Sequence, residues 1–343
     1  MAPPRSRTAL GLAASFVTGG FIVGQARVNA ELGAELGDGV LAAVISFGLG
    51  LVLLLVLVAL IPAGRRGLRR VGAARRRGSL RSWQLLGGLG GALLVAGQGL
   101  TVHVLGTALF TIAVVAGQSS GGLVVDRAGL GPAGPQATTP PRVVGALLML
   151  GAVVLSVAPS LRTEAPVVPA LLPLAAGLAI ATQQALNGRV AAVAGGGQED
   201  PDTDPDAGHD RGRTIVSVLP AATINFAVGF AALVVAGLVA IALLGPPHPL
   251  PSAWYLYLGG PFGAVFIGLS AWIVGQIGVL LLSLGAVAGQ VVTAVLLDVV
   301  MPPAAGTPGA TTVLGAALTL VAAGIAAAPW RARRSPERSP AAR

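Results

Sequence analysis

Residues 86–126 read LGGLGGALLVAGQGLTVHVLGTALFTIAVVAGQSSGGLVVD, and residues 258–298 read LGGPFGAVFIGLSAWIVGQIGVLLLSLGAVAGQVVTAVLLD. The second stretch repeats the first at a constant offset of 172 residues, and thirteen of the 41 aligned positions are identical. Each copy belongs to a half of the chain with an odd number of predicted membrane crossings. Homologous halves of that kind must insert in opposite orientations, as in many secondary transporters. The repeat therefore predicts two inverted halves.

The composition is that of an integral membrane protein. The chain is 54% hydrophobic and 10% charged, with a mean hydropathy of +0.81. A soluble domain carries about 25% charged residues. The absence of cysteine excludes disulfides and thiolate metal sites. We expect no cofactor and no metal site.

Charge-free stretches long enough to cross a bilayer predict an all-α polytopic membrane protein with ten transmembrane helices, five in each half. These helices are expected at 7–27, 38–65, 142–162, 164–189 and 308–330, with two more between 81 and 126 and three between 213 and 298. Within the longest interval, breaks are expected at 245–249 and near 275–278. The predicted units are the first repeat (1–160), a short outer linker (161–168), the second repeat (169–330) with a cytoplasmic acidic insertion (192–213), and a disordered basic tail (331–343).

The arginines predict the orientation in the membrane. Ten crossings place both termini on one side, and if that side is the cytoplasm, every arginine except Arg27 and Arg162 lies inside. This distribution obeys the positive-inside rule. Eight of the arginines fall between Arg65 and Arg81, in a loop that is expected just after the second predicted span. We expect this group to bind anionic lipid headgroups, and we favour that partner over a nucleic acid.

Two short motifs recur in the two halves. Gln25 and Asn29 are one helical turn apart, as are Gln183 and Asn187, so each pair presents two amides on one helix face. The run Ala-Ala-Val-Ile-Ser-Phe at 42–47 matches Ala-Ala-Thr-Ile-Asn-Phe at 221–226. In this alignment Asn225 takes the place of Ser46.

These patterns resemble the YdcZ-like proteins. The resemblance rests on Gln-x-x-x-Asn in the first helix, Ala-x-x-Ser-Phe-x-x-Gly in the second and Ala-Gly-Gln-x7-Asp in the fourth. It covers roughly 9–160 and 169–328, as two fused five-helix units. The YdcZ-like proteins are a bacterial branch of the drug/metabolite transporter superfamily. The resemblance implies a multi-pass protein of the bacterial inner membrane that works by alternating access.

Amides dominate the polar residues of the predicted spans, and these are our candidates for solute binding. They are Gln25, Asn29, Gln98, Gln118, Gln183, Asn187, Asn225, Gln276 and Gln290. A polar group in hydrocarbon needs a partner, so each amide either joins helices or binds solute. Symmetry favours binding for Gln118 with Gln290 and for Gln25 with Gln183. Such pairs are expected near the midplane, at the interface of the halves.

Asp126 and Asp298 are the candidates for proton or ion coupling. Each lies at the C-terminal end of its predicted helix, where the helix dipole disfavours a negative charge. If buried, either carboxyl could carry a proton. The alternative is that both are interfacial acids.

The sequence favours a secondary transporter of a small polar or amphipathic solute. The alternative is a non-transporting membrane scaffold or a partner subunit. An enzyme is disfavoured because the sequence contains no visible metal-ligand cluster and no nucleophile with its base.

Overall fold

The computed structural model describes residues 5–131, 135, 139–157, 168–196, 211–302 and 308–326, with only the backbone described at 5–9, 12, 126, 142, 156–157, 168, 211–217, 267–268, 270–284 and 326. Within these ranges every regular element is helical, as the sequence predicts. The α-helices are α1 (Arg5–Leu36), α2 (Gly39–Leu60), α3 (Pro62–Arg76), α4 (Gly88–Leu105), α5 (Thr107–Ala128), α6 (Pro140–Val157), α7 (Val168–Gly195), α8 (Arg211–Leu244), α9 (Gly259–Val300) and α10 (Ala310–Ala326). Short 3-10 helices at Ser82–Leu85 and Trp254–Tyr257 precede α4 and α9.

Five helical segments in the described ranges are long and apolar enough to cross a membrane. They are Gly39–Leu60, Ser82–Leu105, Thr107–Val125, Pro169–Gly195 and Val218–Leu244. Shorter apolar stretches lie at Val143–Leu155, Gly285–Val300 and Ala310–Ile325. The large aliphatic side chains of α2 and α8 are widely exposed, including Val52, Leu55, Leu238 and Leu243. Exposed apolar surface of this extent is typical of contact with lipid.

A tight turn joins α1 to α2. Gly37 adopts a φ of +65°, and the Asp38 carboxylate accepts hydrogen bonds from the backbone N–H groups of Val40 and Leu41 at 2.8 and 3.0 Å. This cap satisfies two of the donors that the first turn of a helix leaves without partners. The turn therefore ends α1 and starts α2 within two residues.

The arginine-rich segment after α2 is a helix and not the loop that the charge density indicates. Pro62 occupies its first turn, where the missing N–H costs nothing. Gly64, Gly67, Val71 and Ala74 form one buried face. That face packs on α7 and α8, close to Pro220 and Ala194. Four of the six arginines of α3 are consequently left on the opposite, exposed side of the helix.

The helices α2 and α8 carry the same sequence pattern and pack antiparallel. Phe47 on α2 lies against Gly229 on α8, and Phe226 on α8 lies against Gly50 on α2. Nearer the start of α2, Leu41 contacts Gly237. As α2 advances, its contacts therefore move backwards along α8.

The element α9 is helical from Gly259 to Val300, but the contacts of its two ends show that it is not one straight helix. Its 42 residues would span about 63 Å as a straight rod. Its first turns run antiparallel to α1, with Gly259 at Asn29 and Phe262 at Gly24. Its later turns run parallel to α1, with Gly289 at Phe16 and Thr293 at Gly20. Since the two ends run in opposite senses along one helix, the chain reverses direction between residues 263 and 286.

Two close glycine contacts join the halves in a crosswise manner. On α1, Gly19 packs on the backbone around Gly289 of α9, and on α7, Gly177 packs on the backbone around Gly117 of α5. The first helix of each half thus packs closely on the helix of the other half that carries the Ala-Gly-Gln motif: α1 on α9, and α7 on α5. The last helices of the two halves, α6 and α10, also pack together, around Met149 and Ala322.

Candidate functional site

Buried and half-buried amide and hydroxyl groups collect in two places where helices of one half cross helices of the other. The Asn29 cluster comprises Gln25 and Asn29 on α1, Ser46 on α2 and Gln98 on α4, facing Gly259 and Gly263 at the start of α9. The Asn187 cluster comprises Gln183 and Asn187 on α7 and Asn225 on α8, facing Gly87 and Gly91 at the start of α4. All seven side chains are uncharged.

Close helix crossings build the Asn29 cluster. The Asn29 Nδ2 donates a hydrogen bond to Gln98 Oε1 at 2.6 Å, and both side chains are fully buried. A Cβ atom at Gly259 would overlap Asn29 Oδ1 and would lie 2.9 Å from Ser46 Oγ. Glycine at this position is therefore what allows α9 to approach the polar groups of α1 and α2.

The hydrogen bonding of the Asn29 cluster is incomplete. Among the described residues, three of its buried polar atoms have no partner: Asn29 Oδ1, Ser46 Oγ and Gln98 Nε2. An unsatisfied buried polar group costs about 1–3 kcal/mol, and native proteins contain few of them. Two oxygens and one N–H donor are thus available to a water or a solute in the same small region.

The Asn187 cluster repeats this arrangement with different partners. The Asn187 Nδ2 donates to Asn225 Oδ1 at 3.1 Å. A Cβ atom at Gly87 would lie 2.8 Å from Asn187 Oδ1, and one at Gly91 would lie 2.9 Å from Gln183 Oε1. The Gln183 Oε1 is buried and has no hydrogen-bond partner within the described ranges. This cluster therefore also offers an open acceptor.

The two clusters correspond position by position. The pairs that occupy matching places are Gln25 and Gln183, Asn29 and Asn187, Ser46 and Asn225, Gly259 and Gly87, and Gly263 and Gly91. The Asn29 cluster faces two glycines at the start of α9, and the Asn187 cluster faces two glycines at the start of α4. Gln98 breaks the correspondence, because it adds an amide to the Asn29 cluster only.

A pair of stacked aromatic rings lies between the clusters. Phe47 and Phe226 have ring centroids 4.8 Å apart and an interplanar angle of 30°. Phe47 reaches the Asn187 cluster, where its ring would lie 3.2 Å from a Cβ atom at Gly91. Phe226 reaches the Asn29 cluster, where its ring would lie 3.3 Å from a Cβ atom at Gly263. Each phenylalanine thus belongs to the helix of one cluster and packs against the glycine of the other.

The Ala-Gly-Gln repeat has a packing role. A Cβ atom at Gly289 would overlap the carbonyl oxygen of Phe16, and one at Gly117 would overlap that of Leu174. No hydrogen bond joins Gln118 or Gln290 to a described member of either cluster. Close packing against a backbone carbonyl therefore explains the glycine of the motif. Gln118 and Gln290 remain candidates for solute binding, but they do not share a site.

Asp298 caps the start of α5. The side chain is 2% exposed, and its two oxygens accept hydrogen bonds from the backbone N–H groups of Thr107 and Ala108 at 2.9 and 2.7 Å. A negative charge is favoured at a helix N-terminus, where N–H groups point outward and the dipole is positive. Both oxygens are engaged in this cap, so the structure gives Asp298 an anchoring role between α9 and α5.

Six of the nine predicted amides lie in the clusters: Gln25, Asn29, Gln98, Gln183, Asn187 and Asn225. The side chains of Gln276 and Asp126 lie outside the described part of the structure. Ser46, Phe47 and Phe226 were missed as site residues. The signal that could have identified them is the match of 42–47 with 221–226, which places Ser46 opposite Asn225 and each phenylalanine one residue later.

Ser46 and Asn225 occupy matching places but should differ in their contribution to stability. Ser46→Ala removes a buried hydroxyl without a partner, so we expect no loss of unfolding free energy and a gain of up to about 1–3 kcal/mol. Asn225→Ala removes the acceptor of the Asn187 amide, and we expect a loss of about 1–3 kcal/mol. Thermal unfolding of the two purified variants in detergent measures the difference. Equal losses would mean that Ser46 Oγ has a structural partner.

One family of known proteins matches the chain. The family is described as "Putative inner membrane exporter, YdcZ", and the match covers residues 10–155 and 211–326. A search of curated proteins finds no match.

Proposed function

Because the chain belongs to the YdcZ family of the drug/metabolite transporters, we propose that it moves a small neutral solute, polar or amphipathic, across the inner membrane by alternating access. Ten transmembrane helices form two inverted five-helix repeats, with both termini in the cytoplasm. The antiparallel packing of α2 on α8 supports the inversion, and the reversal within α9 supports two crossings there. In this arrangement α9 contributes the eighth and ninth spans, and α3 is an additional helix at the cytoplasmic surface.

The observation that carries the proposal is the pair of uncharged clusters with open hydrogen-bonding atoms. The free atoms comprise acceptors in both clusters and a donor, Gln98 Nε2, in one. An ion would lose its hydration here without meeting an opposite charge on any cluster side chain. A neutral molecule with a hydroxyl, amide or carbonyl group would complete the open hydrogen bonds. Its apolar part would meet the faces of Phe47 and Phe226.

The positions of the clusters fit alternating access. Asn29 lies seven residues before the end of α1, about 10 Å from the turn at Asp38, and Asn187 lies eight residues before the end of α7. In an inverted arrangement these helix ends face opposite sides of the membrane. The Asn29 cluster would then open to the outside and the Asn187 cluster to the cytoplasm. The aromatic stack between them couples the two, because moving either ring disturbs the glycine crossing of the opposite cluster.

Cysteine accessibility tests this function without knowledge of the solute, since the chain has no cysteine of its own. Ser46→Cys and Asn225→Cys place single thiols in the two clusters. We expect a membrane-impermeant maleimide to label Ser46→Cys from outside intact cells and Asn225→Cys from the cytoplasmic side of inverted vesicles. A transporter requires both labels, because each cluster must meet water in one of its states.

Ala43→Cys is the matched control. Ala43 is fully buried on α2, one helical turn before Phe47, and packs in the apolar core between α2, α4 and α8. It should resist the reagent from both sides. If the cluster cysteines are as unreactive as this control, the protein is a non-transporting scaffold. If both are labelled from the same side only, the halves are not inverted.

A further inference from the structure

The helix α3 has two faces of opposite chemistry. Its buried face consists of Gly64, Gly67, Val71 and Ala74. At 3.6 residues per turn, Arg65, Arg66, Arg69 and Arg76 fall within about 100° of arc on the face directly opposite. All four are exposed. We call them the outer arginines.

Two other arginines of α3 hold the helix in place. Arg70 Nη1 donates a hydrogen bond to the carbonyl oxygen of Ala194, near the end of α7, at 3.1 Å. Arg75 Nε donates to Ser82 Oγ at 3.3 Å, on the segment that leads into α4. Cations are favourable at the C-terminus of a helix, so Arg70 also complements the dipole of α7. Contacts within the protein therefore hold α3 with the face that carries the outer arginines turned outward.

The depth of α3 follows from its neighbours. It begins at Pro62, directly after the apolar α2 ends at Leu60. Its glycines contact Leu219 and Pro220 of α8, which lie six and seven residues after Arg213, the last charged residue before the apolar run of that helix. Both apolar segments end where α3 lies, so α3 is at the level of the lipid headgroups.

The geometry points to α3 as a binding site for the phosphate groups of anionic phospholipids. A guanidinium pairs well with phosphate oxygens, and a row of them beside the headgroup layer gathers several negative lipids. The lipid is the source of phosphate that fits, because its acyl chains can rest on the exposed apolar side of α2, at Leu55, Val56 and Leu60, beside the arginines. A soluble phosphate could use only the charges. The site is separate from the two clusters and does not depend on a transport function.

The test uses the full-length protein in a neutral detergent. Short-chain phosphatidylglycerol should bind and raise the melting temperature, whereas short-chain phosphatidylcholine and glycerol phosphate should have little effect. The combined variant Arg65→Gln, Arg66→Gln, Arg69→Gln and Arg76→Gln should weaken the binding of phosphatidylglycerol by at least about tenfold. The binding should also weaken as salt is raised.

The matched control makes the same change of four charges in the C-terminal tail, at Arg331, Arg333, Arg334 and Arg338. It should bind phosphatidylglycerol like the wild type. If the α3 variant does not fold, the smaller change Arg66→Gln with Arg69→Gln should still weaken binding several-fold. Equal responses of the α3 and tail variants, or equal stabilisation by phosphatidylcholine or by glycerol phosphate, would overturn the proposal.

Discussion

Gly289→Ala is expected to cost at least about 3 kcal/mol of stability and to leave little folded protein in the membrane. The added methyl group would overlap the carbonyl oxygen of Phe16, and its next neighbours are also backbone atoms of Phe16. Backbone atoms cannot rotate away as a side chain can, so α1 as a whole would have to move. Fluorescence-detected size-exclusion chromatography and thermal unfolding measure the loss. Gly117→Ala should behave in the same way, because its methyl group would overlap the carbonyl oxygen of Leu174.

Gly151→Ala is the matched control for this result. Gly151 lies in the interior of α6, and a Cβ atom there would meet nothing within 4 Å. Alanine is the better helix former by about 0.5–1 kcal/mol, so this variant should be as stable as the wild type or slightly more stable. If Gly289→Ala and Gly151→Ala unfold at the same temperature, the close contact between α1 and α9 is wrong.

Asp298→Ala is expected to destabilise the protein by about 3 kcal/mol, because it leaves the N–H groups of Thr107 and Ala108 buried without acceptors and removes the charge that complements the α5 dipole. Asp298→Asn keeps one acceptor oxygen and should lose less. Thermal unfolding of the three proteins in detergent gives the order. A proton carrier without a structural role would instead show unchanged stability with altered transport.

Asp38→Ala provides the comparison with a cap nearer to water. Asp38 makes the same two hydrogen bonds at the start of α2 but is partly exposed. Water can replace a lost cap at such a position, and the typical cost is about 1 kcal/mol. The loss at Asp298 should therefore clearly exceed the loss at Asp38. A reversed order would show that Asp298 reaches water.

The sequence predicts the helices and much of the polar site, for reasons of periodicity. Charge-free stretches predict α2, α5 and α8 because lipid excludes charge over the length of a span. The spacing of four residues places Gln25 with Asn29 on one helix face, and Gln183 with Asn187 on another. The segment that became α3 was missed because charge density alone suggests a loop, whereas its helical face consists of small residues with little apolar signal.

What the sequence could not predict depends on the pairing of distant segments. The amides were expected to meet near the midplane, but the structure divides them between two clusters. Phe47 and Phe226, which the repeat aligns with each other, are in direct contact, whereas the amides of each cluster meet glycines of the opposite half. The bond from Asp298 to Thr107 crosses 191 residues. No local pattern specifies such a pairing, because in the repeat Asp298 aligns with Asp126 and Thr107 aligns with Val279.

The crosswise glycine contacts have a consequence for biosynthesis. The contact surface of α1 around Gly19 is made early, yet the segment around Gly289 that covers it is synthesised some 270 residues later. During that interval the glycine face of α1 lies against lipid, or against another helix that α9 later replaces. A ribosome that stalled before the segment around Gly289 would leave a product in which α1 lacks its close contact with α9. The fold can therefore form completely only after the whole chain has been synthesised. Insertion of the first helices is not sufficient.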